Sequence, residues 1–412
     1  MCHPGINGVY KETVIAKKRL IIGETELETN GFSIDSRSIN PGEVFFALRG
    51  NRVDGHRFVS EAFDRGAVAA VIDNSDYHCP PRTILVNNVL ETLKKAGLFC
   101  KNLANPGKMI GITGSVGKTT TKIWLSEVLN HYQRTFTTMN NYNTIYGLPI
   151  AFSRLDDDVE YCILELGTNR PGEISELSNY LSADIGLITN IFESHIGNFR
   201  DKSELANEKI SIIDGMNPGG ILIFDGDSEF SKRIKTAASG RQLKSMSVGF
   251  TDGCDVRITS DGQIRTDHGN YLLGDPVPGR PYDYIMGCMV ATILALDLDV
   301  NKFLPYLKEL RPLKGRGAIV ACAFKGKTFK LIDESYNASP MAMLTAIDSF
   351  DKNYNSPRVA VIGQMKELGA FEEYYHRILG ERLSRCLLDE YFFIGDRHLW
   401  NLLPGANCYE TL

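Results

Sequence analysis

The chain is 412 residues long and lacks any apolar run near the roughly 18 residues that a membrane-spanning helix needs. It lacks a Cys-x-x-Cys pair: its nine cysteines are scattered, an odd count without metal-ligand spacing. That fits reduced thiols in a cytosolic enzyme better than a disulfide framework or a zinc site. It lacks a strong charge of either sign. The formal net charge of −5 argues against nonspecific nucleic-acid binding as its main business. The start, Met-Cys-His-Pro-Gly-Ile-Asn-Gly, has no basic stretch followed by an apolar core, so no signal peptide is expected. Internal repeats and low-complexity tracts are absent too. What remains is ordinary globular composition, 43% apolar and 23% charged, with length for two to four domains at roughly 150 residues each.

What is present most clearly is a phosphate loop. Residues 111–121 read Gly-Ile-Thr-Gly-Ser-Val-Gly-Lys-Thr-Thr-Thr, directly after Met109-Ile110. Backbone N–H groups along Gly114, Ser115 and Gly117 can surround phosphate oxygens. Lys118 adds a point charge, Thr119 offers a hydroxyl to Mg²⁺, and Thr120 follows on the same helix start. The positive end of that helix faces the same anion. The glycine that the standard pattern places five residues before Gly117 is Ile112 here. A bare Gly-x-x-Gly-Lys-Thr also arises in unrelated turns carrying a surface lysine. The strand–turn–helix setting favours the phosphate loop and makes ATP chemistry the first expectation.

Strands are expected at 20–22, 44–48, 67–72 and 83–86, with helices at 58–65 and 89–103. Asn105-Pro106-Gly107 reads as a linker. From 108 to 312, strands at 109–113, 161–166, 185–191 and 220–224 alternate with helices at 118–131 and 284–298, the rhythm of a doubly wound, mostly parallel α/β sheet. Two Asp-Gly pairs within 250–275 predict a hairpin. Strands at 329–333, 358–362 and 390–395 and helices at 341–350 and 374–388 form a further unit. The expected domains are 1–106, 107–312 and 313–412.

Glu165 ends an apolar strand beside the loop, where a Mg²⁺ ligand belongs, although an acid there can also cap the next turn. His195 follows the strand end Thr189-Asn190-Ile191, but a lone histidine is more often structural. Lys209 lies in a helical stretch, Leu205-Ala206-Asn207-Glu208-Lys209-Ile210, where most lysines face water. Asn141 and Asn143 sit in an amide-rich loop that can orient a polar substrate. Arg316 can reach a phosphate with its fork of donors. Asp333 opens Asp-Glu-Ser-Tyr-Asn-Ala-Ser-Pro at a strand's carboxyl end.

In order and spacing these segments resemble the Mur ligases. The likeness covers about residues 31–400: Asp35-Ser36-Arg37, Pro41-Gly42-Glu43-Val44-Phe45 and Asp54-Gly55-His56-x-Phe58 first. Then come the phosphate loop through Lys122, Glu165-Leu-Gly-Thr-Asn-Arg-Pro-Gly-Glu-Ile, and Thr189-Asn-Ile with His195. Lys314-Gly-Arg316, Asp333-Glu-Ser-Tyr-Asn337-Ala-Ser-Pro340 and Val361-Ile-Gly-Gln-Met-Lys-Glu367-Leu-Gly complete the set. The resemblance implies three α/β domains: one for a nucleotide sugar, a central ATPase, and a Rossmann-like one carrying the amine. It implies an ATP-dependent amide ligase of peptidoglycan precursor synthesis that phosphorylates a carboxylate before an amine attacks. The expected substrates are a UDP-muramoyl peptide and D-alanyl-D-alanine or another amine, acted on by a cytoplasmic monomer without nucleic acid or membrane.

The resemblance also assigns residues. Lys118 would screen phosphoryl charge, with Mg²⁺ held by Thr119, Glu165 and His195. Lys209 falls where the family carries a carbamylated lysine that helps hold a second Mg²⁺. Arg316, Asp333 and Asn337 would contact ATP, and Ser36 and Arg37 the uridine diphosphate. This sequence departs from the family at Gly279-Arg280-Pro281-Tyr282-Asp283-Tyr284-Ile285, where Gly-x-His-Asn-x-x-Asn is usual near the adenine. Thr144, Ser211 and Gln364 are further departures, and Leu412 comes before the family's final Val-Lys-Gly-Ser-Arg strand, which reads either as a truncated sequence or as a divergent relative with a lighter third domain. These departures leave open a relative that joins another acid and amine, or a nucleotide-binding regulatory protein without turnover.

Overall fold

The computed structural model describes residues 17–50, 53–77, 80–138, 142–273 and 280–410. The chain divides into two compact units, residues 1–107 with 140–160, and residues 108–139 with 161–412.

In the first unit, four short strands, Gly31–Ser33, Glu43–Phe46, Ala69–Ile72 and Thr83–Leu85, pair in parallel. The middle two are buried at every position, so apolar side chains project from both faces. Phe32, Val44, Phe46 and Val71 pack on one face against Leu93, Ala96 and Cys100 of the helix Val89–Ala104, with Ile150 of the helix Gly147–Ser153. Phe45 and Ala70 pack on the other face against Val59 and Ala62. The long helix starts where Asn88 Oδ1 accepts from Glu91 N at 2.9 Å and ends at Asn105 in the left-handed region. An antiparallel pair, Lys18–Ile22 with Thr25–Thr29, completes the unit.

The second unit is built on nine strands. In spatial order they are Gly269–Leu272, Gln263–Thr266, Val256–Ile258, Lys244–Gly249, Ile221–Asp225, Ile185–Ile188, Lys108–Thr113, Tyr161–Glu165 and Thr135–Thr137. Pairing is parallel from Thr135–Thr137 through Val256–Ile258, and antiparallel beyond. The expected hairpin lies there, turning through Asp261-Gly262 with Gly262 at φ 76°. Helices Lys118–Leu129 and Arg280–Ala295 bury Trp124, Leu125, Val128, Met289, Val290 and Ile293 on Ile110, Ile112, Leu187 and Ile223. Strand order reverses around Lys108–Thr113, so that strand's carboxyl end is a switch point where ligands bind in such sheets.

The same unit carries a hairpin, Ala318–Phe324 with Lys327–Asp333, and a parallel sheet of Val359–Gly363, Glu390–Ile394 and Asn407–Tyr409. Helices Pro340–Asn353 and Glu372–Ser384 cover this sheet through Ile347, Leu379 and Leu383. Ile196, Phe199 and Leu205 pack into the same cluster.

Candidate active site

The switch-point strand delivers residues 114–117 into the helix Lys118–Leu129. Gly114 has φ +139°, and a Cβ there would strike Thr189 Oγ1 and lie 3.0 Å from Thr189 N. Gly117 has φ +88° and caps the helix without a side chain. Both positions therefore require glycine.

The loop is held from behind. Asn190 Oδ1 accepts from Val116 N at 2.8 Å, and Asn190 Nδ2 donates to Val116 O at 2.9 Å. Thr189 Oγ1 donates to Val116 O at 2.7 Å. Ser115 N donates to Asn190 O at 3.0 Å, and Ser115 Oγ to Phe192 O at 2.6 Å. Ser115 thus builds the loop through these bonds. The first-turn N–H groups of the helix, which have no intrahelical acceptor, are the donors aimed outward.

Lys118 Nζ folds back to donate to Gly114 O at 2.7 Å. Burial lowers its pKa, and Arg316 adds to the lowering while Glu165 opposes it. Thr119 Oγ1 donates to Glu165 Oε2 at 2.9 Å, and Glu165 is buried at the end of its strand. Thr120 is buried on the same helix. Arg316 Nη2 donates to Thr119 Oγ1 at 3.0 Å, and its guanidinium lies 3.7 Å over the Tyr336 ring. Tyr282 OH donates to the Arg316 carbonyl at 2.8 Å while its ring stacks on Trp124.

His195 stands at φ 62°, and its Nδ1 meets the Glu367 carboxylate. Its pKa is lowered by burial, an effect that Glu367 opposes and that Lys118 and Lys209 reinforce. Lys209 is 2% exposed. Burial first, then the charge of Lys118, lowers its pKa to about 7. Lys118, His195 and Lys209 therefore share one electrostatic neighbourhood, although no three His, Cys, Asp or Glu side chains gather as a metal cluster among the described residues.

Asp333 Oδ2 accepts from Gly315 N at 3.0 Å, and Oδ1 from Ser335 N and Oγ. The Ser335 hydroxyl is the leading cause of its lowered pKa. Asp333 therefore holds the turn that presents Arg316. Asn337 Oδ1 accepts from the next residue's N–H at 2.9 Å. Ser36 and Arg37 lie in the first unit, the former bonded to Glu61 and the latter paired with Asp35. Asn143 is half-buried in the 140–160 segment of that unit, and Asn141 falls outside the described residues. Thr189 and Asn190 shape the loop more directly than their sequence context suggested; the signal was their place at the end of the neighbouring parallel strand.

The family profile for the Mur ligase middle domain matches residues 112–280, and that for the Mur ligase catalytic domain matches residues 28–96. The UDP-N-acetylmuramoyl-tripeptide–D-alanyl-D-alanine ligase of Rickettsia prowazekii is 30% identical over 390 residues, 91% of this chain and 85% of its own. That of Bacillus subtilis is 30% identical over 94% of this chain and 82% of its own. Among solved structures, MurF from Acinetobacter baumannii superposes with a TM-score of 0.83 at 28% identity, covering 95% of this chain and 85% of its own. MurF ligase from Thermotoga maritima, in complex with ADP, gives 0.78 at 26%, covering 92% and 88%. Fold and site define an ATP-using enzyme of the phosphate-loop class, with three α/β parts and a mostly parallel central sheet. The chain belongs to the Mur ligase family, and its chemistry is that of a ligase forming a C–N bond.

Proposed function

We propose that this protein uses ATP to join D-alanyl-D-alanine to UDP-N-acetylmuramoyl-tripeptide in peptidoglycan precursor synthesis. The observation that carries the reading is the contact of Thr119 with Glu165 and Arg316 beside a glycine-built phosphate loop, in a chain 30% identical to ligases of that name. The substrate carboxylate attacks the γ-phosphorus of ATP, and ADP leaves. The amine of the dipeptide then attacks the acyl carbon, forming the amide and releasing phosphate.

The residues fit both the nucleotide and Mg²⁺. A helix N-terminus entered through two positive-φ glycines, with Lys118 across the loop, suits a phosphate chain. Thr119 Oγ1 and Glu165 Oε2 are hard oxygen donors of the kind Mg²⁺ takes. When bound, the cation neutralises charge on the transferring phosphoryl group. Lys118 and Arg316 add fixed positive charge there. His195 supplies a further donor once it exchanges Glu367. Lys209 is the residue we read as carbamylated: its neutral amine attacks CO₂ and loses a proton, giving an anionic carbamate that would help hold a second Mg²⁺. A pKa near 7 keeps that amine available.

In this reading residues 1–106 bind the nucleotide sugar through Ser36 and Arg37, 107–312 bind ATP, and 313–412 bring the amine, Arg316, Asp333 and Asn337. Asn143, and Asn141 by its place in the same amide-rich sequence, are the residues we assign to the muramoyl peptide. No helix among the described residues is long and apolar enough to cross a membrane, in keeping with a cytoplasmic enzyme, which we take to be a monomer. Phosphate release from ATP is the test, with Mg²⁺ and UDP-muramoyl tripeptide held constant and D-alanyl-D-alanine added or omitted. Release that needs both, with one amide product by mass, supports the reading. No release from folded, ATP-binding protein overturns the substrate pair.

A second reading keeps the acyl-phosphate chemistry with another acid and amine. Tyr282, packed between Trp124 and the Arg316 carbonyl, and Ile285, beside Gly117, favour it, because they stand where the family resemblance expects two asparagines, and Pro281 stands where it expects a histidine.

A further inference from the structure

Glu208 precedes Lys209 on the helix Lys202–Ile210, yet it is 5% exposed rather than turned to water. Its Oε1 accepts from Thr168 Oγ1 at 3.0 Å and from Ile174 N at 2.7 Å. Its Oε2 accepts from Gly172 N at 2.6 Å. Gly172 caps the helix Glu173–Leu181 without a side chain, so Glu208 satisfies N–H groups that the helix start leaves orphaned. The segment it grips, residues 166–174, begins directly after Glu165. One carboxylate thus joins two pieces of chain: its own backbone runs into Lys209, and its oxygens hold the loop leaving Glu165.

We propose that Glu208 is a positioning residue that fixes the spacing between Glu165 and Lys209. The inference rests on the reading of those two residues as holders of the Mg²⁺ ions. Glu208 touches no substrate in this scheme. A capping role alone would change stability and leave cation binding by the folded protein unchanged.

Glu208→Gln separates the two. It keeps an oxygen for Thr168 and Ile174 but turns an amide donor toward the N–H of Gly172. The probe is Mn²⁺, its affinity measured by electron paramagnetic resonance on the full chain saturated with ADP, beside metal-free ADP affinity and kcat. Mn²⁺ affinity and kcat should each fall roughly 10-fold or more, the scale on which ligand-orienting groups act, while metal-free ADP affinity stays within about 2-fold. Should the Gln variant fail to fold by circular dichroism, Thr168→Val removes one donor and should weaken Mn²⁺ binding by about 3-fold or more. Mn²⁺ affinity within about 2-fold of wild type in a folded variant overturns the proposal, as does a wild-type ADP complex that binds no Mn²⁺. If wild type binds Mn²⁺ but makes no amide from the cell-wall substrates, the substrate reading fails, and the Mn²⁺ comparison still decides the role of Glu208.

Discussion

Lys118, half-buried, and Lys209, fully buried, are two lysines with opposite expected fates. Lys118 stays a cation because its partners are carbonyls and, on our reading, a phosphate chain. Lys118→Ala should lower kcat by roughly 10² to 10³ with an unchanged circular dichroism spectrum, since a fixed charge aimed at the transition state is worth that much. Lys209→Ala should lose activity to a similar extent, and high formate or acetate should restore part of it by standing in for the carbamate. Full activity without added anion would remove Lys209 from the mechanism. In CO₂-stripped buffer the uncarbamylated amine makes stability depend on pH. Its folded pKa of about 7 lies below the ordinary 10.5, so the unfolded chain binds more protons between those values. The folded state is penalised fully below pH 7, and the penalty shrinks as pH rises toward 10.5. Urea midpoints should therefore climb from about pH 7 to 9 in wild type, and Lys209→Met should flatten the climb. The meeting of Lys118, Thr119 and Glu165 at one strand end was legible in the sequence because each sits at a fixed offset from a strand end. Glu208 was not, because a polar residue on a helix gives no sign of which way it turns.

At the scale of elements, close approach decides which substitutions the site tolerates. Gly114→Ala puts a Cβ against Thr189 in a positive-φ position. It should cost about 1–3 kcal/mol of stability and abolish nucleotide binding, read by thermal melting with and without ADP. Asn88→Ala, in the unit that does not carry the phosphate loop, should cost about 1 kcal/mol by removing the N-cap of Val89–Ala104 and leave kcat unchanged. The buried parallel strands were readable because they are continuous apolar runs. Thr25–Thr29 was not, since Thr-Glu-Leu-Glu-Thr carries one apolar side chain and its pairing with Lys18–Ile22 is decided by a neighbour. The helix Gly147–Ser153 escaped for another reason. At seven residues, with a proline inside and every position buried, it shows no amphipathic period.

At the scale of the molecule, one guanidinium links the hairpin region to the phosphate loop. Arg316→Lys keeps the charge but loses the fork that reaches Thr119 while lying over Tyr336. It should raise the KM for ATP and lower kcat together, by about 10-fold in kcat/KM, and steady-state kinetics at saturating acid and amine would show it. Equal kinetics in the two proteins would mean that Arg316 serves the fold alone. The sequence order suggested a plain succession of domains, but residues 140–160 leave the nine-stranded unit and pack with the first. Ile150 of that excursion lies in the core of the first unit, Ser153 O accepts from Lys18 Nζ, and Arg154 pairs with Glu43. A chain emerging from the ribosome cannot complete its first unit at residue 107. It must wait until the helix Gly147–Ser153 has been synthesised, by which time residues 108–139 of the second unit, phosphate loop included, have been synthesised as well. The two halves of the enzyme are therefore born overlapping in time, and a nascent fragment ending at Gly107 would carry an open core.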